Sequence, residues 1–174
     1  HYNPSLQYAV NLANELGKPL LVFEGVSTRH EFASNRIITF MTQGLLDNIE
    51  QFNAQKVRYI PWVSTPLQSG AGLLETLASH ACAVVTDLFP TYHPKYVINQ
   101  VKSRLNIQFI AIDGNGLLPL SIGGKAFPTA HAFRRHMHDH FANHWEMIPE
   151  ENPIPPGHDL WISDEKFNSI IEKS

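Results

Sequence analysis

The sequence is poor in cysteine, in charge and in long apolar runs, and each shortage excludes a class of protein. A single cysteine, Cys82, stands among 174 residues. It cannot close an intramolecular disulfide or supply a multi-cysteine zinc site, and it fits an intracellular, cytoplasmic setting. Charged residues make up only 17% and the formal net charge is -3. No global basic field therefore exists to gather nucleic acid. No apolar run reaches the roughly 18 residues that cross a bilayer, so no membrane partner is expected. Also missing are an initiator Met, since the chain opens on His1, the phosphate-binding patterns G-x-G-x-x-G and Walker A, and the nucleophile elbow G-x-S-x-G. What is present is a hydrophobic fraction of 43%, enough for one globular core and against wholesale disorder.

The hydrophobic spacing predicts alternating helices and strands. Asn3-Pro4 suits a helix start, Leu6, Val10, Ala13 and Leu16 recur at helical spacing, and Gly17 suits the stop. Pro19–Phe23 reads as a buried strand, and the polar stretch Val26–Ser34 as a loop. From Asn35 to Gln55 a long amphipathic stripe runs through Ile37, Ile38, Met41, Leu45, Leu46, Ile49 and Phe52. Val57–Val63 reads as a strand, and Pro61 assigns it to a sheet edge because proline cannot donate to a ladder. Leu73–Ser79 reads as a short helix, Ala81–Thr86 as a strand, Pro94–Leu105 as a helix and Ile107–Ile112 as a strand. A long glycine-bearing loop, Gly114–Pro128, leads into a helix over Pro128–Trp145. Pro149, Pro153, Pro155 and Pro156 then mark a linker before a final short helix, Ser163–Lys173. The alternation predicts an α/β fold, a doubly wound parallel sheet of Rossmann-like type.

Several constellations could carry chemistry. Ser69-Gly-Ala-Gly72 precedes a helix and could hold an anion, although a plain turn explains it as well. Asp87 and Asp113 follow strand ends, where open α/β sheets bind ligands and where aspartates also cap turns. His136, His140 and His144 share one helix face at a spacing that can bind zinc or nickel. The H-E-x-x-H pattern is missing, and Arg134 and Arg135 beside them oppose a dication, so a solvated or interface helix is preferred and no metal is expected.

Taken in order, the segments resemble the N-terminal α/β domain of the photolyase/cryptochrome family, most closely its class II branch. Tyr2-Asn3-Pro4-Ser-Leu6 resembles the family's D-N-P-A-L segment, and Gly17-Lys-Pro-Leu-Leu-Val-Phe23 its second strand. Arg36-Ile-Ile-Thr-Phe-Met-Thr-Gln-Gly-Leu45 is similar to an R-x-x-F-(M/L)-x-x-(G/S)-L helix, and Val84-Val-Thr-Asp-Leu-Phe-Pro90 to a V-V-T-D-x-x-P turn. Pro94-Lys-Tyr-Val and Phe133-Arg-Arg-His-Met-His-Asp139 complete the likeness, which covers about residues 2–146. The tail from Pro149 resembles an interdomain linker, so the expected division is residues 1–147 and 148–174.

The resemblance implies a sheet of order 3-2-1-4-5 whose first strand lies upstream of His1. It also implies an antenna chromophore, a deazaflavin or a folate, bound in this domain. FAD would sit in a separate helical domain of the same parent chain, which alone would touch damaged DNA. The parent would be a DNA photolyase, a carbon–carbon lyase, or a light sensor. With that domain absent, this chain alone is expected not to split a pyrimidine dimer. Strand geometry and the switch-point rule place the chromophore among Phe23, Glu24, Arg36, Phe40, Asp87 and Phe89. The aromatics would stack, the arginine fork would anchor a carbonyl or acid, and the carboxylates would accept from ring N–H or hydroxyl groups. Only Arg36 and Asp87 match family motif positions. An ion pair that pins a loop is the plainer reading of Arg36. A stand-alone nucleotide-binding domain and a non-catalytic interaction module that uses the helix 128–145 are the alternatives.

Overall fold

A computed structural model describes residues 2–171 apart from 30, 32, 91, 147, 157 and 159, with backbone alone at 92–95 and 171. Its elements are α1 (Pro4–Leu16), β1 (Leu21–Ser27), α2 (Asn35–Ala54), β2 (Arg58–Ser64), α3 (Leu73–Ser79), β3 (Ala83–Asp87), α4 (Tyr92–Arg104), β4 (Gln108–Ile112), a 3-10 turn (Leu120–Gly123), α5 (Ala130–Phe141) and α6 (Asp164–Ile171). The strands pair in parallel, β1 with β2 and β3 with β4, as two two-stranded sheets. Helices alternating with parallel strand pairs make this an α/β architecture. No helix among the described residues is long and apolar enough to cross a membrane.

The chain divides into two compact units: residues up to Asn11 with Ala81–Pro153, and Leu12–His80 with the residues from Ile154 on. In the second unit the β1–β2 ladder runs from Leu21↔Arg58 to Ser27↔Ser64, with Pro61 opposite Glu24. Among the described residues β2 has no other strand partner, as the proline requires. Alternation along β1 sends successive side chains to opposite faces. Leu21, Phe23 and Ile60 pack with Leu73 and Leu77 of α3 and with Ile162, Phe167 and Ile170 at the C-terminal end. Glu24 faces α2, where Asn48 meets it. α2 starts at the N-cap Ser34, whose side chain accepts from the Ile37 N–H. It buries Leu45 and leaves Phe40 and Leu46 exposed.

The segment after the prolines is packed rather than extended. Ile154, Leu160 and Ile162 are buried, Leu160 to 1% exposure. Leu20 N–H donates to the Leu160 carbonyl at 2.9 Å, and Leu160 N–H donates to His158 Nδ1 at 3.1 Å. That bond leaves the ring proton on Nε2, which donates to the Gln55 carbonyl at 2.6 Å. Arg58 pairs with Asp164 and lies 4.5 Å from the Phe167 ring centre and 5.1 Å from that of Trp161.

In the first unit the β3–β4 ladder runs from Ala83↔Gln108 to Asp87↔Ile112. Asn3 caps α1 by accepting from Leu6 N–H at 2.8 Å, as its residue type predicts. α5 is capped by Thr129, which accepts from Ala132 N–H.

Several boundaries differ from the sequence reading, α4 starting at Tyr92 and β3 spanning Ala83–Asp87 among them. β1 reaches Ser27, so Val26 and Ser27 are strand rather than loop. Glu24 does not end the strand because its carboxylate finds two donors inside the fold. α5 stops at Phe141 rather than Trp145. Beyond it, the N–H groups of Asn143 and His144 reach only three residues back, to the carbonyls of His140 and Phe141, the tightening typical of a helix end. The loop Gly114–Pro128 contains the 3-10 turn, held by Asp113 Oδ2, which accepts from Ser121 N–H, and by His136 Nε2 on the Ile122 carbonyl.

Candidate functional site at the carboxyl end of the first strand

The chain emerging from β1 and the first turns of α2 enclose an open cleft of about 250 Å3, lined by Thr28, Ala33, Ser34, Asn35, Ile38 and Thr39. It lies at the carboxyl end of a parallel strand, where open α/β sheets bind ligands. Thr28 Oγ1 donates to the Ser64 carbonyl at 2.6 Å, and Arg29 donates to the Pro66 carbonyl at 3.3 Å. These bonds tie the ends of β1 and β2 together and fix one wall. The opposite wall is set by the Ser34 cap, which orients the first turn of α2.

Two of the expected residues, Arg36 and Phe40, stand on the first turns of α2 but are not among the residues that line the cleft, which on this helix are Asn35, Ile38 and Thr39. Four residues apart, they share a helix face. Both are exposed, Phe40 to 76%. Arg36 makes no ion pair or hydrogen bond among the described residues, so it does not pin a loop. It also sits in a helical first turn that holds no acid, where the macrodipole disfavours a cation. An anion seated beside it would relieve that cost.

Phe23 and Glu24 lie elsewhere. Phe23 belongs to the hydrophobic cluster beneath α3 and α6, so its ring does not face the cleft. Glu24 Oε2 accepts from Asn48 Nδ2 at 3.0 Å and from the Tyr59 hydroxyl at 2.7 Å. Phe52 stacks on Tyr59 with ring centres 5.1 Å apart. Burial, and then the bond to Glu24, push the Tyr59 hydroxyl well above the ordinary phenol range. The sequence reading missed Tyr59 and Asn48, because nothing in their local pattern marks them as partners of a strand carboxylate. Tyr59→Phe is expected to cost about 1.5–3 kcal/mol, the usual worth of a hydrogen bond to a charged group. Because the folded-state value is raised, the tyrosine's contribution is complete below the unfolded phenol's pKa of about 10 and fades as pH rises through it. Urea melts of the two proteins across that range check both statements.

Asp87 and Phe89 belong to the other unit. Asp87 ends β3 and accepts from Ser5 Oγ in the first turn of α1, a favourable place for an acid near a helix N-terminus. Phe89 is 44% exposed in the following loop, where Leu88 N–H donates to the Ile112 carbonyl at 2.7 Å. Asp113 acts as a turn cap through Ser121, as expected.

The other constellations resolve into structure. Gly70 and Gly72 both adopt positive φ, and Gly70 packs against Trp62, so the glycine loop is a turn shaped by a ring. The histidines of the i, i+4, i+8 series are bonded to carbonyls: His136 and His140 of α5 to Ile122 and His136, and His144 beyond it to His140. Among the described residues no group of three metal-ligating side chains converges.

No protein-family model matches the chain. Over 120 residues it is 27% identical to the deoxyribodipyrimidine photo-lyase of Methanothermobacter thermautotrophicus, an alignment that takes in 69% of this chain and 26% of that protein. The chain therefore spans about a quarter of the length of the curated relative it matches. That similarity supports a relation of this chain to the photolyase family.

Proposed function

We propose that this chain is the α/β, chromophore-bearing part of a photolyase-like flavoprotein, an N-terminal domain of the class II type with the doubly wound order of that family. The observation that carries the reading is the 120-residue likeness to a photolyase. The cleft at the carboxyl end of β1, with an unpaired arginine and an exposed phenylalanine on the same helix, supports a ligand there.

A deazaflavin or a folate, when bound, supplies absorption of near-ultraviolet or blue light. At about 250 Å3 the cleft is smaller than the roughly 300–1,000 Å3 that encloses a whole ligand. It fits the polar edge of a flat ring system, with the rest lying outside. Hydroxyls of Thr28, Ser34 and Thr39 and the amide of Asn35 can meet ring carbonyls and N–H groups. Arg36 would hold an acid or carbonyl and Phe40 would offer a stacking face. Glu24 and Phe23 are committed to the fold and leave the ligand set. In this reading FAD and damaged DNA belong to a separate helical domain of the parent, and this chain alone splits no pyrimidine dimer.

A titration of the protein with a deazaflavin and with a folate, followed by absorbance, tests the reading. Saturable binding of one of them is expected, weakened about tenfold by Arg36→Ala, the loss of one charge-assisted contact of about 1.4 kcal/mol. A thermal shift with ATP and no response to either chromophore would instead favour a nucleotide-binding domain.

A further inference from the structure

We propose that Asn115 is a site of spontaneous covalent modification, at which the chain turns its own side-chain amide into a carboxylate and releases the loop that the amide holds. The reaction is attack of the next backbone nitrogen on the asparagine side chain, and a Cβ on that next residue obstructs it. Asn115 is the asparagine that glycine follows; the others precede residues with side chains. Asn115, Gly116 and Leu117 are all exposed, Leu117 to 72%. The Gly116 N–H makes no hydrogen bond among the described residues, so nothing engages the attacking atom. Gly116 also has room: a Cβ built there would meet only backbone atoms of Leu118, at 3.5 and 3.9 Å.

The Asp113-Gly114 pair just before it has the same pattern and is protected. Asp113 Oδ2 accepts from the Ser121 N–H, and its Oδ1 is buried. Gly114 lies against Pro4, whose Cγ would stand 2.8 Å from an added Cβ. Asn168-Ser169 is protected in another way, because it lies within α6, where helical hydrogen bonding engages the Ser169 N–H.

The atoms balance with water as the co-reactant. Gly116 N bonds to Asn115 Cγ and closes a five-membered imide. The Cγ–Nδ2 bond breaks, and that nitrogen leaves as ammonia with the Gly116 amide proton. Water then opens the imide at either carbonyl, its hydroxyl going to carbon and its proton to nitrogen. The products are aspartate from one side and isoaspartate from the other. Before the reaction, Asn115 Nδ2 donates to the Leu88 carbonyl in the loop after β3. The new carboxylate has no proton to donate and repels that oxygen. The tie between the end of β3 and the loop Gly114–Pro128 is lost, and a chain of net charge -3 gains a further negative charge. None of the residues of the ligand cleft takes part.

The test incubates the protein at mildly alkaline pH and physiological temperature and follows it over days by ion-exchange chromatography and peptide mass spectrometry. A growing acidic form is expected, with the exchange of NH2 for OH found in the peptide that carries Asn115. Gly116→Ala is expected to slow its growth about tenfold, because the side chain obstructs attack. Asn115→Gln is expected to abolish it while keeping an amide donor, since the longer side chain would have to close a six-membered ring. Asn115→Asp, which carries the product's charge, is expected to melt about 2–4 °C lower, the shift for one lost hydrogen bond in a chain of this size. An unmodified chain after prolonged incubation would overturn the proposal. So would the exchange found at Asn168 instead, or an acidic form that grows equally fast in Gly116→Ala. Equal melting of Asn115→Asp and the unsubstituted protein would overturn the release of the loop.

Discussion

Leu160→Ala is expected to cost about 2–5 kcal/mol of stability, the range for a large aliphatic side chain removed from a packed core. Leu160 is 1% exposed, among the most buried side chains of the chain. Its backbone is held on both sides, by the donor of Leu20 and by the acceptor of His158, so the segment cannot slide to refill the void. The cost extends beyond one cavity. Ile162, Phe167 and Ile170 follow Leu160 and cover one face of β1 and β2, and loosening the segment exposes that face. Denaturant melts followed by tryptophan fluorescence measure the loss. Leu67→Ala is the control: at 96% exposure it should change stability by no more than about 0.5 kcal/mol. Equal effects at the two positions would show that the C-terminal segment is not part of this unit's core.

Gly70→Ala carries the second large effect, about 2–5 kcal/mol. The residue has φ +66°, and a Cβ there would run into Nε1 of the Trp62 ring. Left-handed backbone costs a non-glycine residue about 1–2 kcal/mol, and forcing atoms into a packed site adds about 1–3. Gly72→Ala separates the two contributions. Gly72 has φ +85° and nothing within 4 Å of its Cβ position, so only the backbone cost applies. A melt in which Gly70→Ala loses clearly more than Gly72→Ala, with a shifted Trp62 emission, is the expected outcome.

The parts of the fold legible in the sequence are those fixed by neighbouring residues. Asn3 and Pro4 set the start of α1 through capping and a pre-set φ, and Leu73–Ser79 was bounded by Gly72 before it. The stripe of α2 follows from helical spacing, and the edge position of β2 follows from the missing N–H of Pro61. What escaped the sequence depends on partners far along the chain. Glu24 looked available at a strand end, yet Tyr59 and Asn48 hold it, 35 and 24 residues away. The prolines at 149, 153, 155 and 156 read as a linker before a short helix, and that composition says nothing of the burial of Ile154, Leu160 and Ile162. Burial of that segment comes from contacts with Leu20, Gln55 and Arg58, more than 100 residues earlier. Of the expected residues, Arg36 was legible from the motif and Phe40 from strand geometry as positions near the start of α2, though neither lines the cleft. The hydroxyls that line the cleft were not, because threonine and serine beside a turn ordinarily bond their own backbone.

The central claim is that a flat chromophore seats at the carboxyl end of β1. Chemical-shift mapping of the isotope-labelled chain during titration with a deazaflavin or a folate tests it most directly. The account predicts shifts concentrated at the amides of Thr28, Ser34, Asn35, Arg36, Thr39 and Phe40. Shifts confined to the neighbourhood of Gly70 and Gly72, or none at saturating chromophore, would contradict it.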